Sequence, residues 1–114
     1  MKVKTVSKLR KQADKVFSLW VRARDRKCFT CGSRDNLQNG HFISRSYNIL
    51  RFSEINCNAQ CVVCNVFKSG NMPEYAERLM KKYGPEIISQ LNKEKRQTKQ
   101  WKVKELEEII KKYS

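Results

Sequence analysis

Two identical Cys-x-x-Cys pairs, Cys28-Phe-Thr-Cys31 and Cys61-Val-Val-Cys64, restrict the folds open to this chain more than any other feature. Each pair is short enough for one turn of backbone to aim two thiolates at a single tetrahedral ion, which is the ligand spacing of a structural zinc site. The 29 residues between the pairs exceed the roughly 15 to 20 of a simple zinc ribbon, so they have room for a hairpin. That insert holds the chain's only histidine, His41, within Gly40-His41-Phe42. Cys57 is left over, and a core or hairpin position suits it better than that of a fifth ligand.

A chain of 114 residues has the length of one domain, 1–114, and buries a modest core that a metal staple would reinforce. Lysine and arginine number 25 against 11 acids, giving a formal charge of +14. An excess of that size exceeds what solubility needs and points to a polyanionic partner. No run of eighteen apolar residues occurs, and no apolar stretch follows Met-Lys-Val-Lys-Thr, so the sequence predicts neither a membrane span nor a secretory signal. The expected location is the reducing cytoplasm, where paired cysteines bind metal more often than they form disulfides.

Hydrophobic periodicity predicts a basic amphipathic helix over residues 5–25, with Leu9, Ala13, Val16, Phe17 and Trp20 on its apolar face. The first 27 residues carry ten basic and two acidic side chains, so this helix and its entry form one half of the charged surface. The core, 28–71, opens with turn residues at Gly32 to Asn36. A strand is expected over Leu37 to Ile43, a loop over Ser44 to Asn48, and a return strand over 49–55. Asn65 to Lys68 suits a short helix that Ser69-Gly70-Asn71 ends. Beyond it, over 73–113, Pro73 opens a helix that Gly84-Pro85 stops. A second follows from about Glu86 and a third from about Thr98, the last with Leu106, Ile109, Ile110 and Tyr113 on one face. Residues 93–104, with six basic groups and one acid, make a second basic cluster. Trp20 and Trp101 read as core anchors, and Tyr47, between Arg45 and Arg51, as the better base-stacking candidate. Together these readings predict an α+β fold: a small zinc-bound treble clef with a β-hairpin and helix, flanked by amphipathic N- and C-terminal helices.

Gly40-His41-Phe42, Asn56 five residues before Cys61, Asn65 directly after Cys64 and Lys68 four residues after it resemble the motif of the HNH, or ββα-metal, nucleases. The stretch from Gly40 to Arg45, with Gln60-Cys61-Val62-Val63-Cys64-Asn65 and Lys68-Ser69-Gly70-Asn71, is most similar to the NinG (Rap) recombination endonucleases of phages, and the second knuckle resembles phage recombination endonuclease VII. The likeness covers about Cys28 to Tyr83. It implies a metal-dependent DNA endonuclease acting on branched recombination or replication intermediates, such as Holliday junctions, D-loops or flaps, in the host cytoplasm if phage-encoded. Under it His41 is the general base. Asn56 orients His41 or braces the hairpin, and Asn65 ligates a catalytic Mg²⁺ or Mn²⁺ in a one-metal scheme yielding 5′-phosphates. Lys68, Arg45, Arg51 and Tyr47 contact the nucleic acid, while Cys28, Cys31, Cys61 and Cys64 hold zinc. One departure stands out: relatives in the broader motif carry an acid before the histidine, and here that place is Gly40. Either His41 ligates the metal itself or a carboxylate from Glu54, Asp35 or Asp25 completes the shell. Symmetric cutting would need a homodimer, for which the terminal helices could form the interface or instead pack on their own zinc centre. The alternative is a non-catalytic, zinc-stabilised treble-clef module that binds nucleic acid through charge.

Overall fold

The computed structural model describes residues 5–114; Lys2 and Lys4 of the basic entry to the first helix lie outside the described residues. Helix α1 (Val6–Asp25) leads to strand β1 (Leu37–His41), a single 3-10 turn at Asn48–Leu50, strand β2 (Cys57–Cys61) and a π turn at Val63–Phe67. Three helices follow: α2 (Met72–Tyr83), α3 (Ile87–Glu94) and α4 (Val103–Tyr113).

Helix α1 begins where Thr5 caps it, its hydroxyl accepting from the Lys8 amide at 3.1 Å. It ends at Arg26 in the left-handed region, whose amide returns to the Arg22 carbonyl. Its buried stripe is Leu9, Ala13, Phe17 and Val21, with Val16 and Trp20 half-buried at the margins. That stripe packs on Leu106 and Tyr113 of α4, on Phe52, and on Cys57 and Ala59 of β2. Phe17 meets Tyr113 edge-on at 4.8 Å between ring centres, and Trp101 meets Phe52 at 5.1 Å while donating to the Asn48 carbonyl at 2.9 Å. Both tryptophans therefore serve this core. The terminal helices close over one face of the hairpin. A second core, of Ile43, Leu50, Tyr75, Leu79, Ile87 and Leu91, forms beneath α2 and α3.

The hairpin differs from the sequence expectation. β1 and β2 pair antiparallel with Leu37 opposite Cys61 and His41 opposite Cys57, so the return strand is 57–61 and not 49–55. The cause is Asn56. Its buried carboxamide accepts from the Ile43 amide and donates to the Ile43 carbonyl, both at 2.9 Å, which satisfies the backbone beyond His41 and ends the ladder there. Before it the chain turns: Leu50 enters the core under α2, whereas Phe52 enters the one under α1. In a strand, residues two apart share a face, so this division excludes one. The last helix likewise begins at Val103, not near Thr98, because the preceding segment folds back on the hairpin loop, with Asn48 donating to the Lys99 carbonyl at 3.0 Å.

The α2-facing side of the hairpin is polar and buried. Asn58 donates to the Tyr75 hydroxyl at 3.1 Å, and that hydroxyl donates to the Gly40 carbonyl at 2.6 Å. Gln60 donates to Thr30 Oγ1 at 3.2 Å and to the Gly70 carbonyl at 2.8 Å. Its own oxygen lies where a Cβ on residue 40 would come within 2.1 Å of it. Glycine at 40 is thus a packing requirement, and the absence of an acid before His41 has a steric reason. Among the described residues, no helix is long and apolar enough to cross a membrane.

Candidate metal centre and histidine site

The first knuckle turns at Gly32, whose amide donates to the Cys28 carbonyl at 2.9 Å with φ +82°, and it docks on β2 through Phe29 N–H to the Ala59 carbonyl at 2.7 Å. In the second, Cys61 closes β2 and Cys64 sits on the π turn, its carbonyl accepting from the Gly70 amide at 2.8 Å. The four sulfurs lie within 4.8 Å of one another, and Cys31 and Cys61 Sγ are 3.6 Å apart. Zinc–sulfur bonds of about 2.3 Å in a tetrahedron require sulfur separations of roughly 3.8 Å, so the donor set fits the ion. The Thr30 hydroxyl at 3.3 Å from Cys28 Sγ and the Asn71 amide at 3.7 Å from Cys64 Sγ add polar contacts around the sulfurs.

The thiol chemistry agrees. Burial alone would raise Cys28, but hydrogen bonds from the Thr30 hydroxyl and from backbone amides outweigh it and bring its pKa down to about 6. At Cys31 the backbone at Ser33 favours ionisation, yet burial and the three neighbouring thiols push it up to about 12. One thiolate forms readily and further negative charge is resisted, which is the condition a divalent cation relieves. Cys57 is a contrast: buried on β2, with its sulfur 3.6 Å from the Arg51 carbonyl, it stands outside the cluster, and burial raises its pKa.

At the opposite end of β1, His41 is half-buried, and its Nε2 lies 3.0 Å from the Arg51 carbonyl oxygen. A carbonyl only accepts, so Nε2 carries the proton and Nδ1 keeps its lone pair. Burial holds the imidazole pKa below its usual value; the Arg51 carbonyl and Asp14 act against that, and the Arg45 and Arg51 charges act with it. Asp14 receives Arg51 on both oxygens, at 2.8 and 2.5 Å, with Arg45 at 3.9 Å.

The other site residues are distributed around the hairpin. Asn56 makes no hydrogen bond to His41; it braces the hairpin. Asn65 donates to Gln38 Oε1 at 2.8 Å. Gln38 and His41 are three residues apart on one strand, hence on opposite faces and separated by roughly 10 Å along it, so His41 and Asn65 do not converge. The carboxylates considered as further ligands are engaged elsewhere. Glu54 accepts from Tyr113, and Asp25 is held by Arg24 and the Ala59 amide. Asp35 is an exposed turn residue beside Ser33. Arg51, expected at the nucleic acid, is committed to Asp14 with its side chain 13% exposed. Arg45, Tyr47 and Lys68 are exposed, Tyr47 with Lys95 5.6 Å over its ring. Two residues escaped the sequence reading. Asp14, an acid alone among the bases of mid-α1, was a visible signal; Gln38 gave none. Among the described residues, the four cysteines form the only group of three or more His, Cys, Asp or Glu side chains placed to share an ion.

Fold and cluster define a small α+β protein with a two-stranded antiparallel sheet, whose four cysteines could bind a metal ion such as zinc. Comparison with known families places it more narrowly: residues 1–114 match the family described as Bacteriophage Lambda NinG protein, and the chain belongs to the NinG family. It is 35% identical over 108 residues to Protein ninG of Escherichia phage 933W, covering 90% of this chain and 53% of that protein. Identity to the Protein ninG sequences of Escherichia phage lambda and Salmonella phage P22 is 33% and 32% over 108 residues, each covering 90% of this chain and 52% and 53% of theirs. The chain thus spans about half the length of the curated relatives it matches. No solved structure matches it.

Proposed function

We propose that the protein is a DNA endonuclease of the HNH, treble-clef type, in which His41 is the general base for phosphodiester hydrolysis on branched recombination or replication intermediates. The observation that carries this reading is the bond from His41 Nε2–H to the Arg51 carbonyl, which leaves Nδ1 as the basic nitrogen of a ring held neutral. Nδ1 takes a proton from water as its oxygen attacks phosphorus, and the 3′ oxygen leaves. Exposed Arg45 and Lys68 supply positive charge for the phosphates. Membership of the NinG family and a charge of +14 support a nucleic-acid substrate. Preference for branched DNA rests on the resemblance to phage recombination endonucleases.

A Mg²⁺ or Mn²⁺ ion, when bound, would supply Lewis acidity at the leaving oxygen. The residues fit such an ion poorly: Asn65 and Gln38 offer only neutral oxygens, on the face away from His41. The cleavage assay must therefore include both metals and neither. The same separation favours a second reading, a non-catalytic zinc-stabilised module that binds nucleic acid by charge. Incubation with matched linear, flap and four-way DNA decides between them. The nuclease reading expects cutting that falls at least about a hundredfold in His41→Ala, with DNA binding and zinc content retained. Cutting by His41→Ala at the wild-type rate removes the enzymatic assignment.

A further inference from the structure

A cleft of about 720 Å³ opens between the end of α1, the first knuckle and the outer face of α2. Five cations line it, Arg24 and Lys27 from one wall and Arg78, Lys81 and Lys82 from the other, against one carboxylate, Asp25. The three on α2 recur at i, i+3 and i+4 and so share one helix face.

The cations differ in how far they are already committed. Arg24 binds Asp25 and the Cys57 carbonyl, and Arg78 binds Glu74. Lys82 lies over the rings of Phe29 and Tyr83, at 5.9 and 5.3 Å. Lys27 and Lys81 are exposed and have no hydrogen-bond or ion-pair partner among the described residues. Asp25 is used up by Arg24 and by the Ala59 amide at 2.7 Å. A zinc ion on four thiolates would add two negative charges to this wall through Cys28 and Cys31, and with Asp25 and Glu74, which holds Arg78, four negative charges would face the five cations. The positive charge left over sits on exposed, uncommitted Lys27 and Lys81, where an external anion can meet it. Cations spread over two walls of an open groove suit a line of charges better than a single small ion.

We propose that this cleft binds the backbone phosphates of a nucleic-acid strand. Arg24 in its wall reaches the Cys57 carbonyl at 2.8 Å, and Cys57 pairs with His41, so the cleft runs from beside the histidine end of the hairpin to the first knuckle. The inference rests on the nucleic-acid part of the function proposed above and not on catalysis.

The test is fluorescence anisotropy of a labelled oligonucleotide without Mg²⁺ or Mn²⁺, from about 50 to about 200 mM salt. The double variant Lys27→Ser with Lys81→Ser is compared with Lys104→Ser with Lys111→Ser, a matched loss of charge on α4. Two lost phosphate contacts make the slope of log K against log salt shallower by ~1.4 on single strands and ~1.8 on duplex, with the α4 pair changing it by less than half as much. Equal slopes for the two pairs overturn the proposal. So does loss of zinc from the cleft variant, which would mean that the lysines serve the cluster's charge. Weakened binding to vesicles of acidic phospholipid with unchanged DNA binding overturns it in favour of a membrane. Wild-type protein with no salt-dependent DNA binding brings down this inference and the nucleic-acid reading together. A cleft variant with normal binding, beside a wild type that cuts, removes this inference alone.

Discussion

Cys57 and Cys61 bound the same five-residue strand, both buried, yet Cys61 joins three other sulfurs while Cys57 lies against a backbone carbonyl. Identical side chains four residues apart acquire opposite chemistry because each end of the hairpin is finished by different neighbours. The Cys61 end is completed by two local turns, each aiming its own pair of thiols. The Cys57 end, opposite His41, needs contacts across the chain: Arg51 is held by Asp14 of α1, 37 positions earlier, and Asn56 clamps Ile43 across the hairpin. A site assembled from near neighbours is robust and readable, whereas one assembled from distant elements depends on the whole fold.

The sharpest way to break the contrast is to substitute both cysteines. Cys61→Ser removes a ligand from a site whose metal binding and folding are coupled, so zinc and the cooperative thermal transition should be lost together. Cys57→Ser should keep a full zinc content and cost under about 2 kcal/mol, because the hydroxyl can use the carbonyl beside the present sulfur. Metal analysis and thermal melts measure both. A Cys61→Ser protein that melts cooperatively without metal would refute the staple.

A smaller effect is expected beside His41. In Gly40→Ala the new Cβ meets the Gln60 carboxamide, which two hydrogen bonds hold in place, so stability should fall by about 1 to 3 kcal/mol. Gln60→Ala makes room, and the double variant should be less destabilised than the sum of the two single changes. Strict additivity would show that the crowding has another source.

These contacts also mark how far the sequence could be read. The cysteine cluster, the stripe of α1, and the Gly84 stop follow from spacings of a few residues, and each was legible. The strand Cys-Asn-Ala-Gln-Cys was not, because neither its composition nor its alternation favours β structure. It exists because Tyr75, Thr30 and Gly70 satisfy its buried amides from other elements. Arg51 read as a loop cation for the same reason, since its carboxylate partner lies 37 positions earlier in the chain. His41 stood out as the lone imidazole, but its distance from Asn65 depends on a register that the misplaced return strand obscured.

The subtlest effect concerns the charge around that imidazole. Burial lowers the His41 pKa, and Arg45, whose exposed guanidinium also lies 3.9 Å from Asp14, adds to the lowering. Removing the cation in Arg45→Ala should raise the pKa toward its unperturbed value of about 6.5, and Arg45→Lys should leave it near the wild-type position. Asp14→Asn should move it the other way, because the carboxylate favours the protonated ring. The chain has a single histidine, so one imidazole resonance followed by NMR across pH reports all three without reference to catalysis. If His41 is the base, it must be unprotonated to act, and cleavage falls as pH drops through this pKa. The acid limb of the rate profile should then shift to higher pH in Arg45→Ala by the same amount as the NMR titration. A resonance that shifts while the acid limb stays fixed would separate the imidazole from the chemistry, and would leave the histidine end of the hairpin a structural counterpart of its cysteine end.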